Sequence, residues 1–568
     1  MTIPQPPCGK RLIPFIVLAV FFIVYRTAPT DSLLPSPVST ASLLSWSAQF
    51  SQPEQASLPG AARLVPHASD EGVFLETSAF DLPKLIKEKQ RGKADARTSY
   101  KGLKIAVLEH AGFHEEVVGA VLKTLIDIEA NFTLYRDSFR WGYGDILAAG
   151  LNYTIDPTPY SDGTYAKAVQ NNEIDLTIHI SCDHAFWNWP KNKPAYEAMK
   201  ANQNMEVVCM LHELENLKDD ERISWEKAMS QGRLTYLTLS KHVKTFLRSE
   251  VLKWADKYRE VRWGKVDVEE FVPIFPVDPA SLPDSEAVDV SAHFPKSPEK
   301  IPSRLAILGN IQTWRRNYNP IIKDLHQALQ VDPALWGYEP LLTSVVNATY
   351  QPAKDGTRPP VSLHFIGNLA PTSKLEIPDS MRDMVHIHSG LVYTDFYRLL
   401  GSMDLVLPAF IGWTYLEKKL SSAIPAGIVS KVPILGSELL LNAYQFLRDP
   451  SIVLHQPGMT EIEAIAALRA SIDPSNPSSS KALLPVDSRS DAPEWAEDEF
   501  PSAQVHLSAD SESDTDVRIE GGDVMKRFGG DAQDWEEYHG RLYEANAEMM
   551  IDLLERLGSR IRARQARS

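Results

Sequence analysis

Two adjacent arginines, Arg315 and Arg316, follow Gly309 at the end of an apolar run. A planar guanidinium can hold phosphate oxygens through paired N–H···O bonds, so this pair could clamp a phosphate. It would serve equally well as a solvated pair at a helix start. His212 closes another apolar run, with Glu213 and Glu215 following. One carboxylate could orient the imidazole and the other accept bonds from hydroxyls; a core histidine bonded to backbone is the plainer alternative. Asp183 and His184 end a third run and read as an acid/base pair. The segment His110-Ala-Gly-Phe-His114-Glu115 follows a fourth, where Gly112 permits close backbone approach. The three-glycine dinucleotide fingerprint is absent, so a nicotinamide cofactor is unsupported. No Gly-x-Ser-x-Gly elbow or His-Glu-x-x-His is present, which disfavours the common hydrolases. His386 and His388 alternate on one strand, with nothing to supply a clear third metal ligand.

These residues depend on the elements that carry them. From Leu103 onward, short apolar runs alternate with helical stretches. Strands are expected over 104–110, 131–135, 175–180, 206–211 and 234–239, and the block closes near Phe271–Val277. A Pro/Ser/Asp-rich linker, 278–303, precedes a second block with strands over 304–309, 361–367, 385–388, 404–408 and 432–436. Its helices are expected over 319–329, 394–401, 418–429 (with Pro425 inside) and 438–447. Continuous apolar strands alternating with helices specify parallel sheets covered on both faces. The expected fold is therefore α/β, with two Rossmann-like doubly wound lobes at 103–277 and 304–470. Ligands bind beyond the carboxyl ends of such strands, and two facing lobes create a cleft between them.

The chain has 568 residues, a net charge of −16 and 43% hydrophobic residues, which describes a globular protein with room for several domains. Its acidic balance argues against nucleic-acid binding, and three cysteines are too few for a small disulfide scaffold. Buried free thiols are expected for Cys182 and Cys209, a bridge between them being the alternative; Cys8 would lie in the cytosol. Residues 1–11 read as a cytosolic tail. Lys10 and Arg11 precede an uncharged run, Leu12–Tyr25, closed by Arg26. At ~1.5 Å per residue it covers about two-thirds of a ~30 Å hydrocarbon core. Residues 12–26 are read as a signal-anchor helix, with a cleaved signal peptide as the alternative. Residues 27–102 read as a stem, with a short ordered piece near Phe74–Phe80. The lobes would then lie in the lumen of the Golgi or endoplasmic reticulum in a single-pass type II arrangement, or be secreted if cleavage occurs. Sequons at Asn131, Asn152 and Asn347 fit a lumenal site. Residues 471–530 form an acidic, Pro/Ser-rich insertion expected to lack structure. In 531–568, Trp535, Tyr538, Leu542, Asn546, Met549 and Leu553 share one helical face.

Several segments together resemble glycosyltransferase family 4. Ile387-His-Ser-Gly-Leu-Val-Tyr-Thr-Asp-Phe-Tyr397 followed by Met403-Asp-Leu-Val-Leu-Pro408 resembles the family's run at the donor lobe. Leu305–Gly309 with Arg315 and Arg316 resembles that lobe's first strand and turn. Ser421–Leu435 resembles the donor-site helix and next strand, and Val208–Glu215 a first-lobe strand end. The similarity covers roughly residues 103–470, and the fungal membrane-anchored members are nearest. It implies a GT-B fold and a retaining glycosyltransferase that uses a nucleotide sugar as substrate, without a metal or other cofactor. The acceptor would be a glycan, glycolipid or polysaccharide. The resemblance implies donor binding by Gly309, Arg315, Arg316, Glu417, Lys418 (or Lys419), Ser421 and Ser422. His212 would act at the transferred sugar, with Glu213 and Asp183 as the other catalytic candidates. His110, Gly112, His114 and Glu215 fall on the acceptor side. Trp413 and Tyr415 could stack on a base or sugar, or pack between lobes. One departure stands out: the second of the family's paired donor-site glutamates falls on Ala426, and Glu417 is the nearest substitute for the first. That motivates a second hypothesis, a catalytically silent module that binds glycans or partner enzymes. A sugar-nucleotide epimerase of the same shape is a third.

Overall fold

The computed structural model describes residues 100–184, 189–214, 219–279, 282, 301–341, 349–471 and 530–567. The run Leu12–Tyr25, the stem up to residue 99, Cys8, Glu215, Asn347, most of the linker and the stretch 472–529 lie outside them. Every described residue belongs to one compact unit, Lys89–Ser568. Among the described residues, no helix is long and apolar enough to cross a membrane.

The first lobe contains Ile105–Leu108 (β1), Phe132–Tyr135 (β2), Leu176–His179 (β3), Glu206–Leu211 (β4), Leu234–Thr238 (β5) and Asp267–Glu270 (β6). They form one sheet in the order β2-β1-β3-β4-β5-β6, with every pair parallel. Ile105 pairs with Phe132 on one side and Leu176 on the other. β1, β3, β4 and β5 are buried throughout, because helices cover both faces; a strand buried on both faces reads as an unbroken apolar run. The helices are Glu115–Asp127 (α1), Tyr143–Leu151 (α2), Thr164–Gln170 (α3), Trp189–Ala201 (α4), Asp219–Ser230 (α5) and Lys241–Lys257 (α6).

In the second lobe, Arg304–Leu308 (β7), Ser362–Ile366 (β8), Val385–His388 (β9), Leu405–Val406 (β10), Ile434–Gly436 (β11) and Ile452–Leu454 (β12) form a second parallel sheet. Its order is β9-β8-β7-β10-β11-β12. The helices are Tyr318–Val331 (α7), Tyr393–Gly401 (α8), Thr414–Glu417 (α9), Ala423–Val429 (α10), Glu438–Ala443 (α11) and Glu461–Ser471 (α12), and a short antiparallel hairpin pairs Tyr338–Pro340 with Tyr350–Pro352. Both strand orders are doubly wound and reverse direction at a switch point, between β1 and β3 in one lobe and between β7 and β10 in the other.

Ala532–Gln565 (α13) joins the lobes. Asp531 caps it in a reciprocal box with Asp534. Tyr538 donates to the Phe446 carbonyl in the second lobe at 2.7 Å. About two turns further on, Asn546 accepts from the N–H of Val272 and donates to its carbonyl in the first lobe, at 3.0 and 2.7 Å. The predicted apolar face is present, except that Met550 replaces Met549 on it. Position 550 lies four residues after Asn546, on the same stripe. One apolar core runs from the first lobe through α13 into the second.

Four expectations need correction. β6 and β12 have no counterpart in the sequence reading. β6 is an acidic edge strand whose Asp267 and Glu269 meet Arg556 and Arg560 of α13, so its sequence reads as surface. The helix expected over 418–429 is two pieces, and Pro425 falls in the first turn of α10, where a missing N–H costs nothing. Asp404 is not in a strand; its carboxylate accepts from Ser303 and Arg304 backbone N–H groups. Cys182 and Cys209 are not free thiols. They form a disulfide, because adjacent strands bring their Cα atoms to 5.4 Å.

Candidate active site

Loops at the carboxyl ends of strands beside both switch points converge on the cleft. From the first lobe come the segments after β1, β4 and β5; from the second come those after β7 and β10. Lobe-to-lobe bonds close the cleft's edges. The Leu214 N–H donates to the Lys418 carbonyl at 3.0 Å and that of Tyr393 to the Trp141 carbonyl at 3.0 Å. His242 reaches the carbonyls of Ala443 and Lys419, and its burial lowers its pKa. Between the lobes lies a cavity of about 300 Å³. A second of about 210 Å³ adjoins it; Glu116, Tyr393, Ser422 and Ala426 line both.

Arg315 and Arg316 both line the larger cavity. The pair does not begin a helix; α7 starts at Tyr318. Arg316 is 5% exposed. It donates to the Pro408 carbonyl and, at 3.1 Å, to Ser421 Oγ. Arg315 donates to Gln312 Oε1 and Tyr415 Oη. Among the described residues, neither guanidinium forms an ion pair with a carboxylate. Burial lowers the Arg316 pKa, and Arg315 beside it acts in the same direction. Removing a cation from water costs several kcal/mol unless an anion compensates it. This corner of the cleft therefore favours an anionic ligand. Gly309 lies against the Arg316 guanidinium, with φ +105°. A Cβ on Gly367 would stand 2.1 Å from the Gly309 carbonyl oxygen, so the two strand-end turns touch only because residue 367 is glycine.

Other predicted donor-side residues divide. Ser421 is buried, accepts from Arg316 and donates its N–H to Tyr444 Oη at 3.1 Å. Ser422 occupies the N-cap position of α10 without a side-chain capping bond. Glu417 is exposed and faces Lys418 at 3.7 Å, and Lys418 lies over the Phe246 ring; neither lines a cavity. Lys419 takes the cleft position and pairs with Glu213 across the lobes. The residues between α9 and α10 are not helical, which turns 419 inward where a continuous helix would present 418. Tyr415 lines the cleft and stacks on Phe410, whereas Trp413 is exposed.

On the first lobe, His212 and His114 line the larger cavity, with rings stacked at 3.5 Å. His212 Nε2 lies 2.6 Å from the Ile180 carbonyl and donates to it. Asp183 lines neither cavity; its Oδ2 accepts from the His212 and Glu213 N–H groups at 3.1 Å. It braces the turn after β4, and the side chain of His184, its expected acid/base partner, is outside the described residues. His110 bonds His179 at 2.9 Å and packs near Tyr160 within the lobe, away from the cleft. Gly112 lines neither cavity. Its N–H donates to both Glu109 oxygens, and its φ of +71° shapes the turn. The sequon residues Asn131 and Asn152 are both exposed.

The sequence reading missed Glu116. It sits in the first turn of α1, where an acidic residue is expected for the helix dipole alone, so nothing in its position marks it. Burial against the cleft wall and the adjacent Glu115 push its pKa up to about 7, against a hydrogen bond with Tyr393 and the nearby Arg140. Ala426 lines both cavities, so the position that carries a glutamate in the resembled family faces the cleft without a carboxylate. Among the described residues, no group of three or more His, Cys, Asp or Glu side chains is placed to hold a metal ion.

Two doubly wound parallel sheets facing across a cleft, with the last helix returning from the second lobe to the first, define the GT-B class of architecture. No protein-family model and no curated protein matches the chain. Among solved structures, the Anabaena HepE protein in complex with UDP-glucose is 12% identical, with 66% of this chain and 92% of that chain covered and a TM-score of 0.36. A glycosyltransferase from Rickettsia africae is 11% identical over 81% and 98% of the respective chains, with a TM-score of 0.39. The S. aureus MnaA protein with UDP is 11% identical over 59% and 78%, with a TM-score of 0.32. Overlaps this loose carry no argument about the site, which stands on its own geometry.

Proposed function

We propose that this protein is a glycosyltransferase that moves a sugar from a nucleotide-sugar donor to a glycan, glycolipid or polysaccharide acceptor. The observation that carries the reading is the buried Arg316 beside Arg315, two guanidinia without a carboxylate at the strand-end turn of the second lobe. A departing diphosphate supplies the missing anion, and preorganised cations at that point lower the barrier to its departure. The Gly309 and Gly367 turns bound the adjoining cavity, where the rest of the nucleotide would lie. The Cys182–Cys209 bridge supports work in an oxidising lumen, and we extend the proposal to a type II membrane protein of the Golgi or endoplasmic reticulum. Titration calorimetry with UDP and GDP tests the reading: binding at micromolar to millimolar concentration is expected, and no binding of either by millimolar concentration removes it.

A second reading, a module that binds glycans without transferring sugar, is favoured by Ala426 facing the cleft. It predicts thermal stabilisation by oligosaccharides and none by nucleotides.

A further inference from the structure

The segment after β1 holds a chain of three side chains that the donor site does not explain. Glu109 is 1% exposed. Its Oε1 accepts from Ser181 Oγ at 2.9 Å, and Arg136 lies 3.7 Å from its other oxygen. Ser181, itself fully buried, lies 2.9 Å from His114 Nδ1. A serine hydroxyl has one proton, and it is directed at Glu109. Ser181 Oγ must therefore accept from His114, and Nδ1 of that ring carries the proton. Nε2 is then the basic nitrogen of a ring that lines the cleft. His114 also occupies the N-cap position of α1 with no capping bond from its side chain. Serine, threonine, asparagine or aspartate would serve the helix better there. The His212 ring stacked on it has its Nε2 proton engaged by the Ile180 carbonyl.

We propose that His114, oriented by Ser181 and Glu109, is the base that takes the proton from the acceptor hydroxyl. This inference rests on the sugar-transfer reading above. The acceptor oxygen bonds to the anomeric carbon while its proton passes to His114 Nε2. The bond from that carbon to the diphosphate oxygen breaks, and its electron pair leaves on the diphosphate toward Arg315 and Arg316. His114 then returns the proton to solvent. The base belongs to one lobe and the leaving-group cations to the other, on facing walls of one cavity. A single displacement with inversion follows, where the family resemblance implies retention. Ser181 and Glu109 are positioning residues, since neither lines the cavity.

Two measurements on the full chain test this. With histidine labelled in nitrogen-15, long-range proton–nitrogen correlation reads the tautomer of His114, assigned through H114Q. The proton on Nδ1 is expected in the resting protein, with loss of that preference in S181A. A proton on Nε2 in the unaltered protein overturns the proposal whether or not turnover is detected. UDP-glucose, UDP-N-acetylglucosamine and GDP-mannose are then offered with water as acceptor, and nucleotide release and the first-formed anomer are followed. H114Q should lower turnover on the order of 10²–10³-fold, with UDP affinity within about twofold of the original. An α-linked donor should release the β anomer first. Release of the α anomer, or a larger loss in E116Q than in H114Q, overturns the assignment of the base while leaving sugar transfer intact. Failure of UDP and GDP to bind removes sugar transfer itself.

Discussion

Arg316→Met separates a ligand-holding arginine from a structural one. Methionine fills much of the same volume without charge. The ligand-free protein loses the bonds to Pro408 and Ser421, each worth about 1 kcal/mol net. It also sheds the penalty of a buried cation with no carboxylate partner, several kcal/mol in size. The second effect is larger, so the ligand-free variant should match the original or exceed it by roughly 1–3 kcal/mol. Nucleotide binding should respond in the opposite direction. A charged contact to phosphate contributes about 1.5–3 kcal/mol, so UDP affinity should fall about 10- to 150-fold. At a UDP concentration 100 times the original dissociation constant, the original gains about 2.7 kcal/mol and the variant only roughly 0.3–1.4 kcal/mol. Chemical denaturation with and without UDP reads both quantities. A variant that loses several kcal/mol without ligand, yet keeps the full UDP-dependent gain, would refute the argument and make Arg316 a packing residue.

Three further outcomes are expected. Glu116 holds its proton more tightly folded than unfolded, with its pKa moved from 4.5 to about 7; its stabilising contribution is complete below about 4.5 and fades as pH rises through about 7. E116Q should therefore be more stable than the original at pH 8, by at most about 3 kcal/mol and less after solvent screening, and the two should converge at pH 4; a constant difference across pH would count against the shift. D183A leaves the His212 and Glu213 N–H groups without their acceptor and should cost about 2 kcal/mol in urea unfolding; unchanged stability would remove its bracing role. Replacing Cys182 and Cys209 together by serine should cost roughly 3 kcal/mol, and reductant should reproduce the loss in the original but not in the variant.

The sequence by itself determined the two lobes, the identity of most central strands and the apolar face of α13. Each of those rests on local periodicity: strands buried on both faces must be apolar throughout, and a helix docked along its length must repeat its apolar residues every three or four positions. Arg315, Arg316 and His212 were legible as cleft residues because strand ends can be counted off the chain, and Ser421 through the family resemblance. Tertiary structure decided what periodicity does not encode. Lys419 faces the cleft and Lys418 does not, because the chain between α9 and α10 is not helical. Asp183 and His110 sit at equally promising strand ends, yet bonds within their own lobe turn them from the cavity. Glu116 became a cleft residue only when Tyr393, 277 positions away along the chain (393 − 116), closed over it from the other lobe. The proton on His114 depends on Ser181 and Glu109, which β1 and β3 bring side by side. Local order follows from neighbours in sequence, but burial, protonation and pairing follow from neighbours in space.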